Sequence, residues 1–223
     1  MKMAPESYIA ADTAHFMSVP WCNDLISSPN LVLFTPTCRQ PVSNAPAASR
    51  DVFFRKSLKN DDAIPYAVGL YEDPENPLGP GAASSKPQGA PALYVKSSTL
   101  LCELRPGLAG YSGFAHGGLI STLVDEAMGS LILINHLVQA DIEKKGRKLP
   151  EGTLDLNNTR ILTASMNVRF QKPLPVASIV AVTARFVRSE GRKLLFDVKV
   201  KGERGQVFAQ CDGMWASMPL QKM

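Results

Sequence analysis

His116, Gly117 and Gly118 stand directly before a long apolar run, Leu119 to Val138, in which the only charged side chains are Asp125 and Glu126. Paired glycines at a helix N-terminus let the backbone approach a ligand closely, and their N–H groups sit at the positive end of the helix dipole. Such a terminus stabilises an oxyanion. Asp125 follows Gly117 by eight residues, about 12 Å along an ideal helix axis. One carbonyl group cannot touch both within a single subunit. If both act on one substrate, a two-fold dimer must bring the glycine end of one helix to the carboxylate of the other. Burial of an acid on an apolar helix is costly without a partner, and a general base or nucleophile facing a cleft is one reason to accept it. The same residues also fit a plain helix-capping turn and a satisfied buried acid.

The elements that would position these residues follow from composition. Leu119 to Val138 is apolar at nearly every helical position and lacks proline, which predicts a helix buried all round. Leu93 to Leu104 reads as a strand ending at the turn Arg105-Pro106-Gly107, and a glycine-rich loop, Gly107 to Gly118, leads to the helix. Gln139 to Asn158 reads as the end of the helix and a solvated insertion. Four strands follow: Arg160 to Gln171, Ile179 to Arg188, Lys193 to Lys201 and Gln206 to Ala216. They are separated by Lys172 to Pro175, Ser189 to Arg192 and Gly202 to Gly205, all rich in turn formers. Alternation in Ser165 to Phe170 and Phe196 to Lys201 implies one packed and one wet face. The layout is α+β, one long helix against or wrapped by a curved antiparallel sheet, over residues 93–219. Residues 1–92 are proline-rich and read as an irregular extension packed on that core, with a short helix around His15 to Ile26 that Pro20 breaks or starts.

Bulk composition narrows the function classes. The chain has 223 residues, 45% hydrophobic and 20% charged, and its 24 Lys+Arg against 20 Asp+Glu give 24 − 20 = +4. A core can be buried, and there is no basic stripe of the kind that binds nucleic acid. Cys22, Cys38, Cys102 and Cys211 form no C-x-x-C pair, so no metal site is expected and the thiols are expected to be reduced. No membrane span and no secretory signal are expected, which makes the cytoplasm the default location. His15, His136, Trp21 and Trp215 read as structural. Gly110 to Phe114 brushes the nucleophile-elbow pattern but carries Phe114 where its second glycine belongs.

The run Gly113-Phe114-Ala115-His116-Gly117-Gly118-Leu119-Ile120-Ser121-Thr122-Leu123-Val124-Asp125-Glu126-Ala127-Met128-Gly129 resembles the hot-dog-fold acyl-CoA thioesterases of the phenylacetyl-CoA thioesterase-like (PaaI-like) group. Thr163 to Pro173 and Glu190-Gly191-Arg192-Lys193 fit the same group, and the extension resembles fungal-type members. The resemblance implies that His116 and Gly117 bind and polarise a thioester carbonyl, with Gly118 shaping the turn. It implies that Asp125 of the opposing subunit is the base or nucleophile. Thr163 would orient the water, and Gly191, Arg192 and Lys193 would meet the phosphates of coenzyme A. Coenzyme A would then be part of the substrate and no cofactor would be required. The partners implied are an acyl-CoA or acyl-carrier thioester and a second copy of the chain, as a homodimer or a dimer of dimers.

Some relatives place an Asn six residues before the His, where this chain has Gly110, so a second oxyanion donor is not identified. Thr163 also reads as a plain β-branched strand residue, and Glu190 to Lys193 as a charged hairpin turn. Two rival functions fit the same pattern: a hot-dog dehydratase or hydratase acting on an acyl thioester, and a non-catalytic acyl-thioester binder.

Overall fold

The computed structural model describes residues 6–40, 51–76, 90–156 and 159–219. Three helices are present among them: α1 (Glu6–Met17), α2 (Pro20–Ile26) and α3 (Gly117–Lys144). Nine strands accompany them: β1 (Leu31–Phe34), β2 (Ala67–Glu72), β3 (Ser97–Leu104), β4 (Ala109–Tyr111), β5 (Phe114–Ala115), β6 (Thr159–Phe170), β7 (Ser178–Glu190), β8 (Lys193–Lys201) and β9 (Val207–Pro219). Seven form one antiparallel sheet in the order β1-β2-β3-β7-β8-β9-β6, and β4 pairs with β5 in a small ribbon before α3. One long helix lying on a curved antiparallel sheet is the hot-dog fold, the α+β arrangement expected from the order of elements.

Period-two patterning decides which sheet face takes the helix. In β8, Leu194, Phe196, Val198 and Val200 are buried and the residues between them are not. Leu100, Cys102 and Leu104 of β3 join the same core as Leu123, Val124, Ala127, Met128 and Leu131 of α3. Leu101 points to the opposite face, where Phe16 of α1 and Cys22 and Ile26 of α2 cover it together with Val68 and Leu70. Pro20 starts α2 at its first turn, where a missing N–H costs nothing.

The first 92 residues hold more regular structure than loops and short helices. β1 and β2 lengthen the sheet beyond β3, and Phe34, Cys38, Phe54, Leu58 and Ile64 pack into the core that contains α3. Proline richness hid these strands because they are short and separated by irregular segments.

Two expectations about α3 are corrected. It runs to Lys144, past Gln139, because Gln139 is itself buried and bonds the Leu154 carbonyl (2.9 Å) and the Leu156 N–H (3.1 Å), pinning the following loop to the helix. Nor is it buried all round, since Gly118, Thr122, Asp125, Leu133, Leu137 and Ala140 are exposed or half-buried. By length and composition α3 could cross a bilayer, but 56% of its most apolar window is buried inside the protein.

Asn135 fixes the height of α3 on the sheet. It is fully buried, and its amide accepts from the Val95 N–H and donates to the Val95 and Leu131 carbonyls, each at 2.9 Å. Asn135→Ala strands the two polar groups of Val95 in the core. It is expected to cost about 2 kcal/mol of unfolding free energy, read as a lower urea midpoint at unchanged slope.

Candidate active site

His116 is the N-cap of α3, and its Nδ1 accepts the Gly118 N–H at 2.9 Å. An accepting Nδ1 leaves the ring proton of the neutral imidazole on Nε2, so His116 presents an N–H donor outward. The Gly117 N–H has no acceptor among the described residues. The loop behind it is fixed by three bonds: His116 N–H to the Leu108 carbonyl (3.0 Å), Ala115 N–H to the Leu174 carbonyl (2.8 Å) and Val176 N–H to the Gly113 carbonyl (3.0 Å). The helix start is thus a preorganised donor pair, Gly117 N–H and His116 Nε2–H, at the positive end of a 28-residue helix.

The glycines of this loop answer to close contacts. A Cβ on Gly118 would stand 2.9 Å from His116 Nδ1, and one on Gly110 would stand 2.7 Å from both the Cα and Cδ2 of His116. Gly110 therefore has no room for the Asn that some related sequences carry there, and the space such a side chain would use is taken by His116 itself.

Asp125 is half-buried and accepts from the Thr163 hydroxyl at 2.7 Å. Thr163 reaches it because the β6–β9 register shifts between Thr163 and Ser165, a bulge at Ala164 that re-aims the strand beside the helix. Both residues belong to one chain, so the structure joins Asp125 to Thr163 and leaves His116 and Gly117 two helical turns away. Glu126, one residue on, turns its Oε1 into the protein, where that atom is buried. Burial pushes its carboxyl up to about 8, with the charge of nearby Asp51 adding to the shift. The two neighbouring acids therefore occupy different environments, and Asp125 is the one that opens to the surface.

Gly191 and Arg192 form the two-residue turn between β7 and β8, with Glu190 paired to Lys193 and Gly191 at φ 57°, where glycine is favoured. Arg192 and Lys193 are exposed and have no ion-pair partner among the described residues, whereas Glu190 is taken by Arg188 at 2.7 Å. Lys193 lies in register with Ala216, which lies opposite Leu162, so the turn sits two strands from Thr163 at nearly the same height. The sequence-predicted residues thus fall into two clusters: Asp125 and Thr163, with Gly191 to Lys193 two strands away, and His116, Gly117 and Gly118 at the other end of β6.

The fold and these clusters define a hot-dog protein with an acid–hydroxyl pair and an oxyanion-type helix terminus. Residues 112–209 match the thioesterase superfamily. The chain is 25% identical over 209 residues to verlamelin biosynthesis protein B of Lecanicillium sp, covering 90% of this chain and 86% of that one. It is 23% identical over 128 residues to acyl-coenzyme A thioesterase THEM4 of Bos taurus, covering 57% of this chain and 44% of that protein. The chain therefore spans less than half the length of that relative. Protein smu.793 of Streptococcus mutans UA159, solved bound to acetyl CoA, superposes with a TM-score of 0.43 at 18% identity, over 57% of this chain and 85% of that one.

Sequence reasoning missed the proximity of Asp51 to Glu126, because no local pattern links residues so far apart. Gly110→Ala is expected to push His116 off the cap. The lost bond, worth about 1 kcal/mol, should quicken hydrogen exchange at the Gly118 amide about fivefold with global stability nearly unchanged.

Proposed function

We propose that the protein hydrolyses an acyl-CoA, or an acyl group on a carrier thiol, to the free acid and the thiol. The observation that carries this reading is the pairing of the Thr163 hydroxyl with Asp125 beside a helix whose Gly117 N–H is unspent. The superfamily match and the similarity to acyl-coenzyme A thioesterase THEM4 support it.

The chemistry needs both clusters at one carbonyl, and β6 supplies the means. It is a sheet-edge strand of 12 residues, most of them exposed, with Leu162, Met166 and Phe170 turned to the surface. Pairing β6 with its copy about a two-fold axis at Met166–Asn167 sets Thr163 of one chain opposite Phe170 of the other. Phe170 lies against Gly117, whose Cβ position is 3.4 Å from its ring. Each Asp125–Thr163 pair then meets the partner's helix start, and the edge strand is covered as an exposed apolar edge requires.

In the resulting site the Gly117 N–H and the His116 Nε2–H hold the thioester oxygen as it gains charge. Asp125 activates water or attacks directly, with Thr163 setting the direction of its carboxylate. Arg192 and Lys193 are free to meet the phosphates of the nucleotide. Metal and redox chemistry have no step to perform. A cytoplasmic setting is part of the same proposal.

Thiol release from short, medium, long and aromatic acyl-CoAs tests this reading. Asp125→Asn is expected to lower kcat at least about a thousandfold while the fold is retained, and Thr163→Val about tenfold. Absence of thiol release by the unaltered protein with every substrate would refute it. The shared site has its own test. Co-expression of Asp125→Asn with His116→Ala chains should restore about a quarter of unaltered turnover, because half the mixed dimers are hetero-dimers with one intact site of two. No restoration would place the site within one chain.

A further inference from the structure

A cavity of about 460 Å³ lies outside the candidate active site: none of His116, Asp125 and Thr163 lines it. Its walls come from parts of the chain far apart in sequence. The extension supplies His15, Val19 and Trp21, the last two packed on the sheet face opposite α3. Glu103 of β3, the segment before β7 and the turn between β8 and β9 supply the rest, with Ile179 and Phe208 adding apolar surface. A cavity of this size takes a small organic ligand.

The walls are set in advance. His15 Nε2 meets Glu103 Oε2 at 2.5 Å, and the imidazole stacks on Tyr66 with 3.9 Å between ring centroids, which ties α1 to the sheet. Glu203 stands on a turn closed by three bonds: Gly202 N–H to the Gln206 carbonyl (3.1 Å), Gly205 N–H to the Gly202 carbonyl (2.9 Å) and Arg204 N–H to Gln206 Oε1 (2.9 Å). The ionisable groups in the lining are two acids and one imidazole, and among the described residues neither a lysine nor an arginine joins them. Glu103 is already engaged, by His15 and by Arg105 at 2.7 Å. Glu203 is exposed and has no ion-pair partner among the described residues, so its charge is the one left for a ligand. A free carboxylate in one lining with Trp21 and Phe208 suits an ammonium group carried on an apolar or aromatic body.

The same cavity touches the back of the loop that carries His116. Between β6 and β7 successive residues alternate: Leu174 and Val176 join the core that contains α3, while Pro175 and Ala177 line the cavity. The Leu174 carbonyl takes the Ala115 N–H, the Val176 N–H goes to the Gly113 carbonyl, and Phe114 is bridged to Pro175. Ala177 holds a φ of 58°, in the left-handed region that an alanine adopts at a cost, so the segment keeps this path only while its contacts hold it.

We propose that the cavity binds a compact organic ammonium ion with an apolar or aromatic body, Glu203 meeting the charge, and that the occupied cavity restrains residues 174–177 behind the His116 loop. The restraint follows from linkage. A ligand that touches the closed segment and not the open one lowers the opening constant in proportion to its concentration over Kd, once that ratio is large.

The probe is phenethylammonium, titrated calorimetrically into the full chain, with hydrocinnamate as the comparison for charge and methylammonium as the comparison for the ring. Saturable binding of phenethylammonium is expected, with Kd at least about tenfold below that of either comparison. Glu203→Gln should weaken it at least about fivefold, and Glu203→Lys should invert the order of phenethylammonium and hydrocinnamate. Both substitutions fall on an exposed turn, outside the core. Hydrogen exchange at the Ala115 and Val176 amides reads the restraint. With phenethylammonium at about ten times Kd the opening constant should fall about tenfold, and hydrocinnamate at the same concentration should leave it unchanged. No saturable binding of phenethylammonium, equal binding of hydrocinnamate, or binding indifferent to both Glu203 substitutions would overturn the site. Unchanged exchange with the cavity occupied would overturn the restraint. Neither readout uses thiol release, so failure of this site leaves the thioesterase reading standing, and failure of that reading leaves the site standing.

Discussion

A straight helix holds Gly117 and Asp125 about 12 Å apart, and nothing within one chain shortens that distance. The rest of the site is arranged around this constraint. β6 runs beside α3 and touches both ends of the interval, with Thr163 bonded to Asp125 and Phe170 against Gly117. Seven residues of extended strand separate those contacts, about 23 Å at an ordinary strand rise. That strand is also the uncovered edge of the sheet. The element that keeps the two clusters apart in one chain is therefore the element best placed to join them between two.

Holding donors and acid in fixed relation requires that α3 neither slide nor rotate, and polar side chains do this at three heights. His116 caps the start, Asn135 is bonded to Val95 beside β3, and Gln139 holds the loop at residues 154–156. Apolar packing alone tolerates small shifts among similar side chains, whereas a buried amide with every hydrogen bond made has one good position. The extension adds lateral support, since residues 34–64 enter the core that holds α3 and α1 and α2 cover the other face of the sheet.

Much of this was legible in the sequence, because it depended on local periodicity. β8 has the bounds its alternation implies, and β6, β7 and β9 differ by only a few residues at their ends. His116 to Gly118 and Asp125 stand out because their types are unusual around an apolar helix. Thr163 had an ordinary strand reading beside the functional one, and only the bulge at Ala164 distinguishes them. What stayed hidden depends on long-range contact. β1 and β2 are short strands in a proline-rich segment, and their place at the edge of β3 is set by pairing across about 30 residues of intervening chain. The burial of α3 was overstated because composition does not tell a face covered by the same chain from one left open.

Asp125 and Glu126 show how one covalent step can separate two chemical roles. Adjacent residues on a helix point about 100° apart. Here that rotation carries one carboxylate to a surface with a hydroxyl donor and the other to the interior, near a second acid. An identical pair on a fully exposed helix would behave as two ordinary carboxylates. The difference is made by the extension, which covers Glu126 and leaves Asp125 open. A helix that shows two acids to the sequence thus presents one to the surface. Because the segment doing the covering lies outside the matched domain, acids of the same type and spacing need not behave alike in a chain built without it.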